Sequence, residues 1–287
     1  TSAVMFGIRT LTGHKAPDNE GGFRPVSIHF PKGSILNPTF AAPVASRSVS
    51  LRRVVDVVLG VLAKALPKKY PAANCGQASV IYCGSFDEAT KETIVGAIGG
   101  PWMGGMGARP NKDGIDVTDH DASNVYHVPL EVSEAELPIR FEKMELWKDS
   151  GGPGKWRGGL GFYSEVQWLK GKATASIRRD RHKFKPWGLS GGSPGPLCRT
   201  AILRKGLGQR NIPGKSQIEL NAGDKIKLWT TGSGGHSNPF KRDPILVFED
   251  FLDQKISRKS ALNDYGVVII RNQLDLKKTE VLRNKTN

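Results

Sequence analysis

Three consecutive residues carry much of the potential chemistry in this sequence: Asp119, His120 and Asp121, within DGIDVTDHDASN (113–124). In an extended segment the two carboxylates share a face, with His120 between them. Carboxylates together with imidazole suit zinc, manganese or iron. His120 equally suits proton transfer or contact with a substrate. Acid-rich Asp/Asn loops are also common as plain turns, so metal, acid–base and structural roles all stay open.

A second stretch, DSGGPGKWRGGLG (149–161), has six glycines in thirteen residues around Lys155, Trp156 and Arg157. Glycine loops with a basic residue often cradle phosphates. A Walker A loop, however, needs Gly-Lys-Ser/Thr leading into a helix, and Lys155 is followed by Trp156. A dinucleotide loop also runs from strand into helix, whereas residues 161–169 alternate as a strand. The expectation is a tight turn assembly, with Lys155 and Arg157 solvated or paired to carboxylates such as Asp149. His236, in GSGGHSNPF, reads as a surface residue of another flexible loop. RRDRHKFKPWGLSGG (178–192) reads as a basic loop held by Trp187, with anion binding as the sharper alternative. Cys75 reads as a small buried thiol rather than a nucleophile.

The elements that must position these residues follow from periodicity. Residues 47–66 form the clearest helix, with an apolar stripe at 51, 54, 55, 58, 61, 62, 65 and 66, ended by Pro67. Residues 3–12 read as the end of a helix, 14–25 as turns, 26–30 and 76–83 as strands, and 96–114 as a long glycine-rich loop. From 127 onwards the pattern is β-rich, with strands expected at 127–132, 138–147, 161–169, 173–179, 199–205, 216–222 and 224–231. A helical stretch at 244–264, a strand at 266–270 and a mobile basic tail (271–287) complete the reading. The expected class is α+β: a mixed α/β lobe, a β-rich barrel or sandwich-like region, and a short helical C-terminal segment. The corresponding boundaries are 1–127, 128–243 and 244–287.

Composition limits the function classes. The chain has 287 residues, is 38% hydrophobic, and contains 34 glycines and 18 prolines, which suits turns and short strands. Its formal charge of +15 is spread along the chain. No zinc-finger spacing or RNP-like aromatic pattern accompanies it, so an acidic partner or anionic ligand is favoured over nucleic acid. Three cysteines without a CxxC pair suit a reducing, cytoplasmic setting. The longest apolar run, residues 54–66, is too short to span a bilayer.

Taken in order, several segments resemble the hydantoinase B/oxoprolinase family. They are DNEGGFRPVSIHFPKGSILNP (18–38), RRVVDVVLGVLAKALP (52–67), GARPNKDGID (107–116), DSGGPGKWRGGLG, PWGLSGG (186–192) and the segment 234–269. The resemblance is to the C-terminal half of longer family members, in keeping with the start at Thr1. It implies a subunit of an ATP-dependent cyclic-amide hydrolase, hydantoinase or 5-oxoprolinase type, working with a hydantoinase A-type subunit that binds ATP. A divalent metal is expected mainly from the missing N-terminal half. An acetone/acetophenone-type carboxylase subunit and a non-catalytic scaffold half are the alternatives. Many relatives have His followed by Thr-Asn near DHDASN. His120 and Asn124 match that pattern, and Ser123 departs from it. The resemblance therefore implies a catalytic His120 and a substrate-facing Asn124, with Arg24 of EGGFRP as an anion contact.

Overall fold

A computed structural model describes residues 1–13, 19–43, 47–77, 79–87, 90–99 and 103–286. The turn expected across 14–18, residue 78 of the strand expected at 76–83, and residues 100–102 of the glycine-rich loop lie outside them. Two helices open the chain, α1 (Ser2–Thr12) and α2 (Arg47–Ala65). They pack through Ala3, Val55, Leu59 and Ala63, with Tyr70, Trp187 and Leu189 closing the cluster. The buried line of α2 is Arg52, Val55, Asp56, Leu59 and Ala63, at helical spacing. That line is rotated from the expected apolar stripe. Leu51 and Val61 of that stripe are 37% and 64% exposed, while the ion-paired side chains of Arg52 and Asp56 point inward.

Two antiparallel sheets follow. The strands are β1 (Val80–Asp87), β2 (Glu92–Ala97), β3 (Ile139–Leu146), β4 (Phe162–Trp168), β5 (Lys172–Arg178), β6 (Arg199–Arg204), β7 (Gly208–Asn211), β8 (Lys215–Asn221) and β9 (Lys225–Trp229). One sheet has the order β2-β1-β5-β8 and the other β3-β4-β9-β6-β7. Strand β4 alternates strictly, burying Phe162, Ser164, Val166 and Trp168, as expected for one face turned to a core. Both sheets supply the main hydrophobic cluster: Ile81, Ala175, Ile177 and Leu220 from one, Phe162, Val166, Ile202 and Leu228 from the other. Of the chain's five passages between the sheets, β4 to β5 and β8 to β9 are neighbouring corners, tied by Gly223 N–H donating to Trp168 O (2.8 Å). The architecture is α+β, with a sandwich-like β region.

The remaining elements are α3 (Leu130–Glu136), α4 (Pro244–Leu252), α5 (Arg258–Asn263), the short pair β10 (Ile269–Ile270) and β11 (Gln273–Leu274), and α6 (Leu276–Thr286). Several expectations differ here. Residues 26–30 are extended but join no ladder, bracketed by Pro25 and Pro31, which donate no hydrogen bond. Residues 130–132 belong to a helix, because Pro129 caps LEVSEAE, which has helix-forming Leu, Glu and Ala. The basic tail is helical. Its Arg283 donates to the carbonyls of Tyr265 and Arg242, and Thr279 is buried. Strands β2 and β7 had no counterpart in the sequence reading. Among the described residues no helix is long and apolar enough to cross a membrane.

Candidate functional site

His120 is 1% exposed and sits against α2. Its Nδ1 accepts from Ala122 N–H (3.2 Å), which leaves the proton on Nε2, and Nε2–H donates to Asp56 Oδ1 (3.3 Å). Asp56 Oδ2 accepts from Arg181 Nη2 (2.6 Å) and pairs with Arg53 Nη1 (2.8 Å). Arg181 also donates to the carbonyls of Cys75 (2.8 Å) and Asn74 (3.0 Å), so the basic loop is stitched to the 72–77 strand-like segment. Burial pushes the Asp121 carboxyl upward; the neighbouring Asp56 adds to this, and His120 offsets part of it. Asp56, His120 and Asp121 thus form one electrostatically linked cluster, clamped at Asp56 by guanidinium groups.

Asp119 has a different task. It accepts from its neighbour His120 N–H (2.7 Å) and from Val125 N–H (2.8 Å), and pairs with Arg52 Nη1 (3.1 Å). Arg52 continues to Ser123 Oγ (2.9 Å) and the Gln77 carbonyl. Asp119 therefore shapes the loop, and its carboxylate is turned to the backbone and Arg52 rather than placed beside that of Asp121. Asp56 in turn lines a groove of about 390 Å³ between α2 and the Trp187–Leu189 loop, with Val57, Val61 and Lys64.

The donor set does not fit a divalent metal. Asp56, the carboxylate bonded to the His120 ring, already faces two guanidinium groups, whose charge opposes a cation there. Among the described residues no group of three His, Cys, Asp or Glu is arranged to hold a metal ion. The glycine run does not fit a nucleotide either, because main chain fills it. A Cβ on Gly159 would lie 1.9 Å from Ile115 O and 2.9 Å from Met106 N. Lys155 rests over the Trp156 ring.

Arg157 is buried in a knot of charges. It pairs with Asp116 (3.0 Å) and Asp250 (3.4 Å), and its backbone N–H donates to Asp113 Oδ1 (2.7 Å). Arg242 grips Asp113 through both oxygens (2.7 and 2.8 Å) and reaches Asp250 (2.8 Å). His236, expected at the surface, is 4% exposed and bonded to Pro67 O (3.1 Å) and Ser237 Oγ (2.8 Å). Its neighbours in the glycine loop pack against the 150–158 and 187–193 segments, which removes it from solvent. Cys75 is buried, with its thiol pushed up to about 11. Asn124 is exposed on the loop beyond His120, and Arg24 is exposed after a 3₁₀ turn (Glu20–Phe23).

The hydantoinase B/oxoprolinase family model matches residues 1–239. The chain belongs to this family. As a member of the hydantoinase B/oxoprolinase family it is 36% identical to an uncharacterized protein of Methanocaldococcus jannaschii, covering 98% of this chain and 49% of that protein. It is 33% identical to a putative D-/L-hydantoinase B-type subunit from a Pseudomonas species, over 93% of this chain and 45% of the relative. The chain thus spans about half the length of these relatives. In fold it is similar to an ATP-dependent caprolactamase from Pseudomonas jessenii (TM-score 0.82, 23% identity, 99% of this chain, 50% of the other). It is likewise similar to an acetone carboxylase (TM-score 0.81, 19% identity, 99% and 43%). The ordered motifs converge in this fold: GARPNKDGID supplies Asp113 and Asp116, the glycine run Arg157, and segment 234–269 Arg242 and Asp250. The cluster around His120 draws on Asp56 and Arg181, for which the motifs gave no site role.

Proposed function

We propose that this chain is part of a subunit of an ATP-dependent cyclic-amide hydrolase, of hydantoinase or 5-oxoprolinase type, and that the His120 cluster serves ring opening. The observation that carries the reading is the Asp56–His120–Asp121 cluster beside a groove in a chain of this family. Opening a cyclic amide breaks a C–N bond, and the departing nitrogen needs a proton. Asp121, held upward by burial and by Asp56, is a carboxyl suited to retain that proton. His120, held in place by Asp56, favours the ionised form of that carboxyl and so balances its hold on the proton. Asn124 and Arg24, both exposed, are proposed as substrate contacts. ATP is assigned to a hydantoinase A-type partner subunit, where it supplies activation of the carbonyl oxygen. The subunit is proposed to act in the cytoplasm. The boundaries 1–127, 128–243 and 244–287 are proposed as its organisational units. The likeness to acetone carboxylase in fold motivates a second reading, an ATP-dependent carboxylase subunit.

The deciding assay incubates the complete complex with ATP and, separately, 5-oxoproline, hydantoin, caprolactam, or acetone with bicarbonate. Ring opening of an amide supports the hydrolase, whereas turnover of the ketone only with bicarbonate refutes it in favour of the carboxylase. Asp121→Asn should lower kcat and flatten one limb of its pH profile. Full activity in both Asp121→Asn and His120→Asn would reduce this chain to a scaffold.

A further inference from the structure

A second cavity lies away from the His120 groove. It is a cleft of about 800 Å³ between the first turns of α2 and the β5–β8 edge, lined among others by Ser50, Arg53, Arg178, Asp180, Lys215 and Ser216. Three cations and one carboxylate line it, so its walls carry a net charge of two positive. Lys215 Nζ holds Asp180 Oδ1 (2.8 Å) yet its side chain stays 60% exposed. Arg178 lies over the Tyr82 ring and is exposed. Ser50 adds a hydroxyl to the lining, the Ser216 hydroxyl being engaged by Pro213 O (2.9 Å), and the N-terminal turns of a 19-residue helix favour an anion. Arg53 Nε is buried with no hydrogen-bond partner, although the same guanidinium pairs with Asp56 through Nη1.

From these residues we infer that the cleft binds a small phosphate monoester. A dianion offsets the net charge of the walls, and the volume exceeds what a lone phosphate ion fills. Arg53 connects the cleft to the other cavity, because this cleft-lining guanidinium pairs with Asp56, which lines the groove. A phosphate drawn to Arg53 competes with Asp56 for it and alters the field at His120, which Asp56 orients together with Arg181. Occupancy of the cleft is thereby communicated to the His120 cluster through a single side chain.

The test titrates the full chain with glycerol 3-phosphate and inorganic phosphate by calorimetry, at constant ionic strength set with chloride. The His120 ring resonances are followed by NMR in parallel. The wild-type chain should bind the ester, and Arg178→Gln/Lys215→Gln should weaken binding at least about tenfold through loss of two charged contacts. Both residues are exposed, so circular dichroism should show an unchanged fold. The His120 resonances should shift with the ester in wild type, and the double variant should need correspondingly more ester for the same shift. Equal affinity in wild type and double variant overturns the site. Heat indistinguishable from chloride addition does the same. Binding that leaves the His120 resonances unmoved overturns the connection through Arg53.

Discussion

Replacing Arg242 by Met tests whether the buried charge knot holds the glycine-rich loops together. Arg242 is 2% exposed and makes four bonds: two to Asp113, one to Asp250 and one to the Lys155 carbonyl (3.1 Å). Without it, Asp113, Asp116 and Asp250 face Arg157 alone, and Asp250 keeps only a 3.4 Å contact while 7% exposed. Stranding a buried charge in this way costs about 3–5 kcal/mol. For a chain of this size that lowers Tm by roughly 6–20 °C. Thermal unfolding followed by near-UV circular dichroism reads the shift. Lys143→Met, which removes the half-exposed pair with Glu145, serves as control and should cost less than about 1 kcal/mol. Adding Asp250→Asn to Arg242→Met should recover part of the loss by removing the stranded carboxylate. A Tm shift for Arg242→Met no larger than the control, or a double variant no better than the single, refutes the reasoning.

Three further outcomes are expected. Gly159→Ala places a Cβ against Ile115 O, so soluble yield and Tm should both fall, whereas unchanged values would show that the loops can part. All three cysteines are buried, and the Cys75 and Cys83 thiols are pushed up to about 11 by burial. An aromatic disulfide reagent at pH 8 should therefore titrate none of them in the folded chain and all three in denaturant. Burial and the nearby Arg179 hold His182 down at about 4, against 6.5 in an exposed ring. The unfolded chain binds that proton first, so stability falls as pH drops from 6.5 to 4. Full linkage of this shift would be about 3 kcal/mol, reduced to roughly 1–2 kcal/mol by solvent screening of a half-buried ring. His182→Gln should flatten the slope in a denaturant series across that pH range.

Periodicity made much of the sandwich legible: β3, β4, β5, β6, β8 and β9 all fall within runs that alternate or are rich in β-formers. Strand β7 (GQRN) lacks such residues, and its pairing is set by the glycine hairpin with β6 rather than by composition. The turned face of α2 was illegible for a physical reason. Its inward Asp56 is stabilised by Arg181, 125 residues away in sequence, and no local pattern encodes such a partner. An aspartate in the middle of VVDVVLGVL, one helical turn from Arg52 and Arg53, was the available clue. His120 was legible from its residue type, but its tautomer is fixed by Ala122 and Asp56 and needed three dimensions. The family motifs were specific because several of them meet in one charge knot. That explains why they identified the chain better than they located chemistry.

The glycine-rich loops also bear on how this chain reaches its native state. Cys75 N–H bonds to Gly105 O, Gly159 N–H to Met106 O, Ser233 N–H to Gly159 O and Gly234 N–H to Ala73 O. Each strap joins segments tens to well over a hundred positions apart, so none forms by local search. The conformational entropy of closing these circuits is lost before the bonds repay it. Closing the seam is therefore a long-range event, as is the pairing of β1 with β5. The Arg53–Asp56–His120 cluster depends on it, because Asn74 to Gly76, whose carbonyls accept from Arg181 and Arg53, belong to a segment that the seam holds.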